Sequence, residues 1–326
     1  MQTAAAVSAA AQSAAAARRR GKERSRHGIV ATERLVKGSL FACAMLSVAS
    51  TFTILAILLW QSGQFLAMPG VSLWDFLTGS EWTPLLGAEK KFGIWPLVAG
   101  TLLITAIAAA FALPTGLAVA VYLSEYAPRK VRSVLKPVLE VLAGVPSVVF
   151  GFFALRVLGP DLLQPLFDTP QTTGLLVTGA AIGVLVTPLM ASVSEDALRS
   201  VPTSLREAST GLGARKSSTV VKVVLPAAVS GIVAALILSV SRAIGETMVA
   251  ALASGRLGSA PRVLDPREPG LTMTASMAQL AQGSDQLVGS GLAFQSLFFV
   301  GALLFVMTLV LNMFAARVVS RVRARY

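Results

Sequence analysis

The sequence predicts an all-α membrane protein with six transmembrane helices and both termini in the cytoplasm. Three observations lead there. Of 326 residues, 54% are hydrophobic and only 13% charged, where a soluble domain carries about 25% charged residues. The mean hydropathy is +0.71, and six stretches reach the roughly 20 apolar residues that cross a bilayer. Lysine and arginine fall unevenly between these stretches, with 21 in alternate segments and 5 in the others. Lys/Arg-rich loops stay on the cytoplasmic side, and the alternation fits six crossings.

The elements follow in chain order. Residues 1–37 read as a disordered basic tail, alanine runs followed by Arg18, Arg19, Arg20, Lys22, Arg24 and Arg26, although the alanines could form a transient helix. Residues 38–60 form span one. They are too long for a signal-peptide core, and no clear cleavage site follows them. Residues 61–91 form an outer loop. A core over 92–319 holds the other five spans. Span two runs from about Phe92 to Leu123, with Trp95 at interface level and Pro114 expected to kink it. Spans three to six cover about Val134–Leu158, Gly174–Val193, Ala227–Ala250 and Gly291–Val319. The outer loop 251–290 is rich in Gly, Ser and Thr, and residues 320–326 form a basic cytoplasmic end. Small residues in spans two and four, among them Gly100, Gly116, Gly179 and Gly183, suit close helix contacts.

Composition also excludes. The lone Cys43 cannot form an intrachain disulfide, and the lone His27 sits in the basic tail, so no metal site is expected. The net charge of +12 reads as topology rather than nucleic-acid binding, because no stacking aromatics interleave with the cations. No phosphate-cradling G-x-x-x-x-G-K-[ST] loop occurs. Any ATP is expected to bind a partner chain, and no cofactor is expected here.

The loop 199–226 between spans four and five is the most informative stretch. Ser204-x-x-Glu207 reads as a capping box. Leu205, Ala208 and Leu212 share one face of a short helix, and Gly213 suits its stop. On periodicity alone this is as well an ordinary interfacial helix. Glu207-Ala208-Ser209, three residues, Gly213, nine residues, then Val223-Val224-Leu225-Pro226 closely resembles the EAA signature of permeases in bacterial ABC importers. Ser209 and Val223 are conservative departures from it. The resemblance implies the type I ABC importer permease fold. It also implies a coupling helix, with Glu207, Ala208, Gly213, Leu225 and Pro226 serving contact with a cytoplasmic ATPase.

Span five carries Ser241-Arg242-Ala243-Ile244-Gly245-Glu246-Thr247-Met248. On a continuous helix Arg242 and Glu246 share a face. Arg242 lies on the order of 20 Å beyond Ala227, within the membrane. An unpaired charge there costs several kcal/mol and marks a functional hypothesis. One reading is a structural ion pair. The other is an anion path in which Arg242 offers its planar fork to oxyanion oxygens and Glu246 holds that fork between anions. Ser241, Thr247 and Arg156 are further candidate contacts on the path. Arg156 reads otherwise as a residue near the outer end of span three snorkelling to the interface. Glu140 reads as an i, i+4 surface partner of Lys136.

The stretch Arg242–Met248 also resembles the fifth-span motif of permeases in the bacterial phosphate-specific ABC importer, PstC type. Phe92-Gly93-Ile94-Trp95-Pro96-Leu97 and Tyr122-Leu123-Ser124-Glu125-Tyr126-Ala127 resemble the two ends of that family's second span. The resemblance implies a non-catalytic subunit of the bacterial cytoplasmic (inner) membrane that translocates inorganic phosphate. It implies as partners a second, homologous permease of PstA type, two copies of a cytoplasmic ATPase and an extracytoplasmic phosphate-binding protein, all in membrane lipid and without nucleic acid. The residues alone leave open a sulfate or molybdate importer, an ion-driven carrier or channel, and a signalling scaffold.

Overall fold

The computed structural model describes residues 2–69, 71–84, 91–169, 171–255, 265–282 and 291–323. Side-chain surroundings are described from residue 33 onward, except at 318 and 321–323. Lys90, Arg256, Arg262 and Arg325, used above to orient the loops, lie outside the described residues. The chain divides into two units, Met1–Ile57 and Leu58–Tyr326. The first is helix alone. Helix α1, Gln2–Leu66, is continuous from the alanine runs into the first apolar window, against the expectation of a disordered tail. Alanine is the strongest helix former, and nothing in the run competes with it.

Six helical windows are long and apolar enough to cross a membrane: Glu33–Leu66, Trp95–Tyr126, Ser147–Phe167, Leu175–Arg199, Lys216–Ile244 and Leu292–Arg317. The second unit opens with a short helix α2, Leu73–Thr78, and a two-stranded hairpin, β1 (Trp82–Thr83) and β2 (Lys91–Phe92), in which Trp82 faces Phe92. Aromatic rings knit this end together. Phe76 meets Phe299 edge-on at 4.6 Å between centroids, and Phe65 packs on Phe76, Phe92 and Phe299. The T-shaped pairs, Phe65 with Phe76 and Phe92 and Phe76 with Phe299, suit the ring quadrupoles.

Helix α3, Trp95–Val121, ends in a π-helical turn over Tyr122–Tyr126 and runs unbroken through Pro114. It packs chiefly against α7, Leu175–Arg199. The small residues decide that contact. A Cβ on Gly179 would come within 2.7 Å of Ile107 Cβ, and one on Gly183 within 2.9 Å of Phe111 Cβ. The two backbones therefore approach as only glycine permits, and these residues serve packing within the chain.

Two expected spans are broken. Span three falls into α4, Arg129–Ala143, and α5, Ser147–Phe153, which widens into a π-helical stretch Ala154–Leu163 and ends in α6, Gln164–Phe167. Gly144-Val145-Pro146 separates them. Proline has no N–H to offer and disfavours helix in the residue before it. Its apolar window accordingly begins at Ser147, not Val134. Span five begins earlier than Ala227. Helix α8, Thr203–Gly211, leads to α9, Lys216–Thr219, a π turn Val220–Val224 and α10, Leu225–Ile244. That helix stops at Gly245, and α11, Met248–Ala253, starts anew.

The expected outer loop 251–290 is in part a packed element. Helix α12, Met273–Ala281, buries Met273, Thr274, Ala275 and Ser276. The Met273 N–H donates to Thr101 Oγ1 of α3 at 3.0 Å. Its run of small and hydroxylated residues reads as a loop by composition, yet tertiary contacts cover it. Helix α13, Leu292–Arg323, closes the chain and packs against α10 and α12.

Candidate functional site: two helix breaks and a docking helix

The two breaks lie side by side. Arg242, in the last turn of α10, donates from Nη2 to the carbonyl oxygen of Ala143, the last residue of α4, at 3.1 Å. A cation at a helix C-terminus suits both the unpaired carbonyls and the helix dipole. Arg242 is half-buried, while Gly144, Pro146 and Gly245 are exposed. The guanidinium thus sits at the seam of two interrupted helices with, among the described residues, one neutral acceptor.

Glu246 does not pair with Arg242. The shared helix face expected for them is absent, because the helix ends between them. Gly245 is the C-cap of α10. Glu246 turns forward, and its Oε1 accepts from the Met248 N–H at 3.2 Å and the Val249 N–H at 3.5 Å. A carboxylate is favourable at a helix N-terminus, where N–H groups lack partners. The break is fastened from α12, where Thr274 Oγ1 donates to the Glu246 carbonyl at 2.9 Å. Glycine's poor helix propensity and the capping carboxylate together outweigh continuation of the helix.

The other path candidates scatter. Ser241 donates to Asn312 Oδ1 of α13, and Thr247 donates to the Gly245 carbonyl at 3.2 Å. Arg156 lies about midway along the window Ser147–Phe167 rather than near its outer end. It is exposed, with its guanidinium 5.7 Å from the Phe152 ring centroid, a cation–π distance. Among the described residues, no contact joins Arg156 to Arg242 or Glu246.

The second element is α8. It starts at Thr203 after Pro202 and has no side-chain cap. The capping box therefore does not form, since Ser204 is already inside the helix. The stop does form. The Gly213 N–H donates to the Thr210 carbonyl and the Ala214 N–H to the Ser209 carbonyl, a Schellman arrangement. Gly213 has φ +81°, and a Cβ there would meet nothing within 4 Å. Backbone conformation, not space, calls for glycine at this turn. Leu205, Ala208 and Leu212 are exposed, Leu212 to 90%. Glu207 is exposed as well. Leu225 and Pro226 lie elsewhere, in the first turn of α10. Leu225 packs on the cluster of Ala120, Leu198, Val201 and Val224.

The sequence reading missed the side chains that fasten α8. Arg206 Nη2 reaches Glu125 Oε1 at 2.9 Å and the Leu198 carbonyl at 2.8 Å, and Nη1 reaches the Val201 carbonyl at 2.6 Å. One residue thereby ties α8 to the foot of α3 and the end of α7. Glu195 of α7 is fully buried. It accepts from Arg132 and Lys136 of α4, each ion pair at 2.8 Å. Lys136 also pairs with Asp196, so its expected partner Glu140 is replaced. In sequence Glu195 has only an i, i+4 neighbour, Arg199, which stands 3.9 Å away; its two close partners, Arg132 and Lys136, lie far away in sequence and gave no periodic signal.

Six spans, with a short capped helix between the fourth and fifth, define the permease fold of type I ABC importers. The chain superposes on a chain of a bacterial alginate ABC transporter, solved in complex with an alginate pentasaccharide-bound periplasmic protein. That match has a TM-score of 0.61 and 14% identity, covering 87% of this chain and 94% of the other. Residues 112–324 match the binding-protein-dependent transport system inner membrane component family, and the chain belongs to that family. It is 37% identical over 215 residues to the probable ABC transporter permease protein YqgH of Bacillus subtilis (strain 168), covering 66% of this chain and 69% of that one. It is 31% identical over 270 residues to the phosphate transport system permease protein PstC of Mesorhizobium japonicum, covering 77% and 80%. The chain is a multi-pass permease of the bacterial inner membrane.

Proposed function

We propose that this permease carries inorganic phosphate inward, with Arg242 as the anion's contact inside the membrane. One observation carries the reading: a half-buried guanidinium, at the seam of two broken helices, has among the described residues a single neutral partner, the Ala143 carbonyl. A guanidinium makes paired, fork-like bonds to an oxyanion that a lone carbonyl cannot match, so an arriving phosphate can displace that carbonyl. Transport requires release as well as capture, and the Ala143 carbonyl takes the guanidinium back when the anion leaves. Glu246 keeps a negative charge nearby while it caps α11. The likeness to proteins named PstC supports phosphate among oxyanions.

The Lys/Arg distribution supports termini and α8 in the cytoplasm. There the exposed Leu205–Ala208–Leu212 face would seat on an ATPase, with Gly213 shaping the turn. Each of two ATPase copies would drive one permease, this chain or a PstA-type partner. An extracytoplasmic binding protein would deliver the anion. ATP would be hydrolysed by the partner chains.

A deletion strain under phosphate limitation, complemented with this chain, tests the reading. Growth and labelled-phosphate uptake are expected, with uptake undiminished by excess sulfate. Competition by sulfate or molybdate would reassign the substrate. Uptake unchanged by Arg242→Gln would overturn the path.

A further inference from the structure

A cavity of about 810 Å³ lies between the foot of α3, the first turns of α4, the end of α7 and the start of α8. Five cations line it, against the carboxylates Glu125 and Glu140. Three of the five are committed. Arg132 and Lys136 are held by Glu195, and Arg206 by Glu125 and two carbonyls. Glu195 has no exposed surface, so it neutralises the wall from behind without presenting negative charge to the cavity. The other two are held loosely or not at all, Arg199 by a long ion pair with Glu195. Arg129 has no hydrogen bond or ion pair among the described residues. Arg199 comes no nearer than 3.9 Å to Glu195 and is 48% exposed. The hydroxyl of Thr203, also on the wall, likewise has no partner among the described residues.

We propose that this cavity binds a phosphate group, gripped by Arg129 and Arg199 from opposite elements. Two guanidiniums on separate helices offer paired donors that match the oxygens of a phosphate, and Thr203 adds a hydroxyl. The network behind them keeps the walls in place when the site is empty. One source is the headgroup of an anionic phospholipid. Basic pockets between membrane helices take such headgroups, and α4 presents an exposed stripe, Val131, Val134, Leu135 and Val138, along which acyl chains can lie. The other source is free phosphate at the basic end of the bundle. The site stands whichever oxyanion the permease carries.

The full-length chain, purified with its partner subunits, provides the test. Native mass spectrometry after reconstitution in phosphatidylglycerol or phosphatidylcholine reads the lipid source. Equilibrium dialysis with radiolabelled inorganic phosphate, in an Arg242→Gln background that silences the membrane contact, reads the free ion. Arg129→Gln with Arg199→Gln is expected to weaken the bound species about tenfold for each guanidinium lost, with Arg129→Lys retaining part of the binding. Retention of phosphatidylglycerol, unaffected by millimolar phosphate, assigns the lipid. Dialysable phosphate that the double variant loses assigns the ion. If the double variant fails to assemble, Arg129→Gln alone suffices, since that side chain is exposed and has no partner among the described residues. Wild-type binding of both probes by the variant, or of neither probe by the wild type, overturns the proposal.

Discussion

The seam at Arg242 and the basic foot of the bundle both gather charge, and they treat it in opposite ways. At the foot, Glu195 is buried beneath two cations, and Arg206 spends its donors on three partners. Those groups are satisfied inside the chain, which fixes the geometry of α4, α7 and α8 as one rigid piece. At the seam, Arg242 holds one carbonyl and Glu246 caps its own backbone. Saturation suits a lever, and a sparsely held charge suits a surface that exchanges partners. The same residue types serve rigidity or availability according to how many donors are already spent.

The comparison can be broken most sharply at Arg242. Under the proposed anion path, Arg242→Gln should lower phosphate uptake roughly a hundredfold, the loss of one charge-assisted contact, while the assembled complex still purifies. Uptake assays paired with size-exclusion profiles check it. At the foot the expected effect falls on stability. Glu195→Ala should destabilise the protein by about 3 kcal/mol, the low end for breaking a buried pair, since Arg132 and Lys136 keep some contact with water. Thermal unfolding in detergent reads it, and an unshifted midpoint would remove Glu195 from the rigid piece. Arg206→Ala should cost about 2 kcal/mol in the same assay and, under the proposed docking, reduce substrate-stimulated ATP hydrolysis. Gly213→Val should cost about 1–2 kcal/mol through its positive φ, an effect glycine's neighbours cannot relieve because they do not touch it. Thr274→Val should cost about 1 kcal/mol and loosen the break. Hydrogen exchange at Met248 and Val249 would show faster opening, and unchanged protection would place the fastening elsewhere.

Legibility in the sequence followed the range of the interaction. The six windows were readable because burial in lipid demands a run of apolar residues whatever surrounds it. The stop at Gly213 was readable because a helix C-terminus is a local device. The capping box was misread on local grounds too. Ser204 fits the spacing, but Pro202 sets the start two residues earlier than the motif needs. The Arg242–Glu246 pairing assumed an unbroken helix, and Gly245 alone was a weak warning. The pairs of Arg206 with Glu125 and of Glu195 with Arg132 and Lys136 were invisible, because those partners stand 59 to 81 residues apart.

By itself, then, the sequence determined the solvent of each segment, the number of crossings, the helix between the fourth and fifth, and the motifs that carry family membership. Those depend on hydropathy, backbone conformation and spacing, which act over a few turns. The tertiary structure decided which charges are spent and which remain open. It turned a Gly/Ser/Thr-rich loop into the buried α12, gave Lys136 to Glu195 instead of Glu140, and left Arg242 facing a carbonyl. Those outcomes depend on which helix ends meet, and a hydrogen bond across that seam has no counterpart in any local pattern.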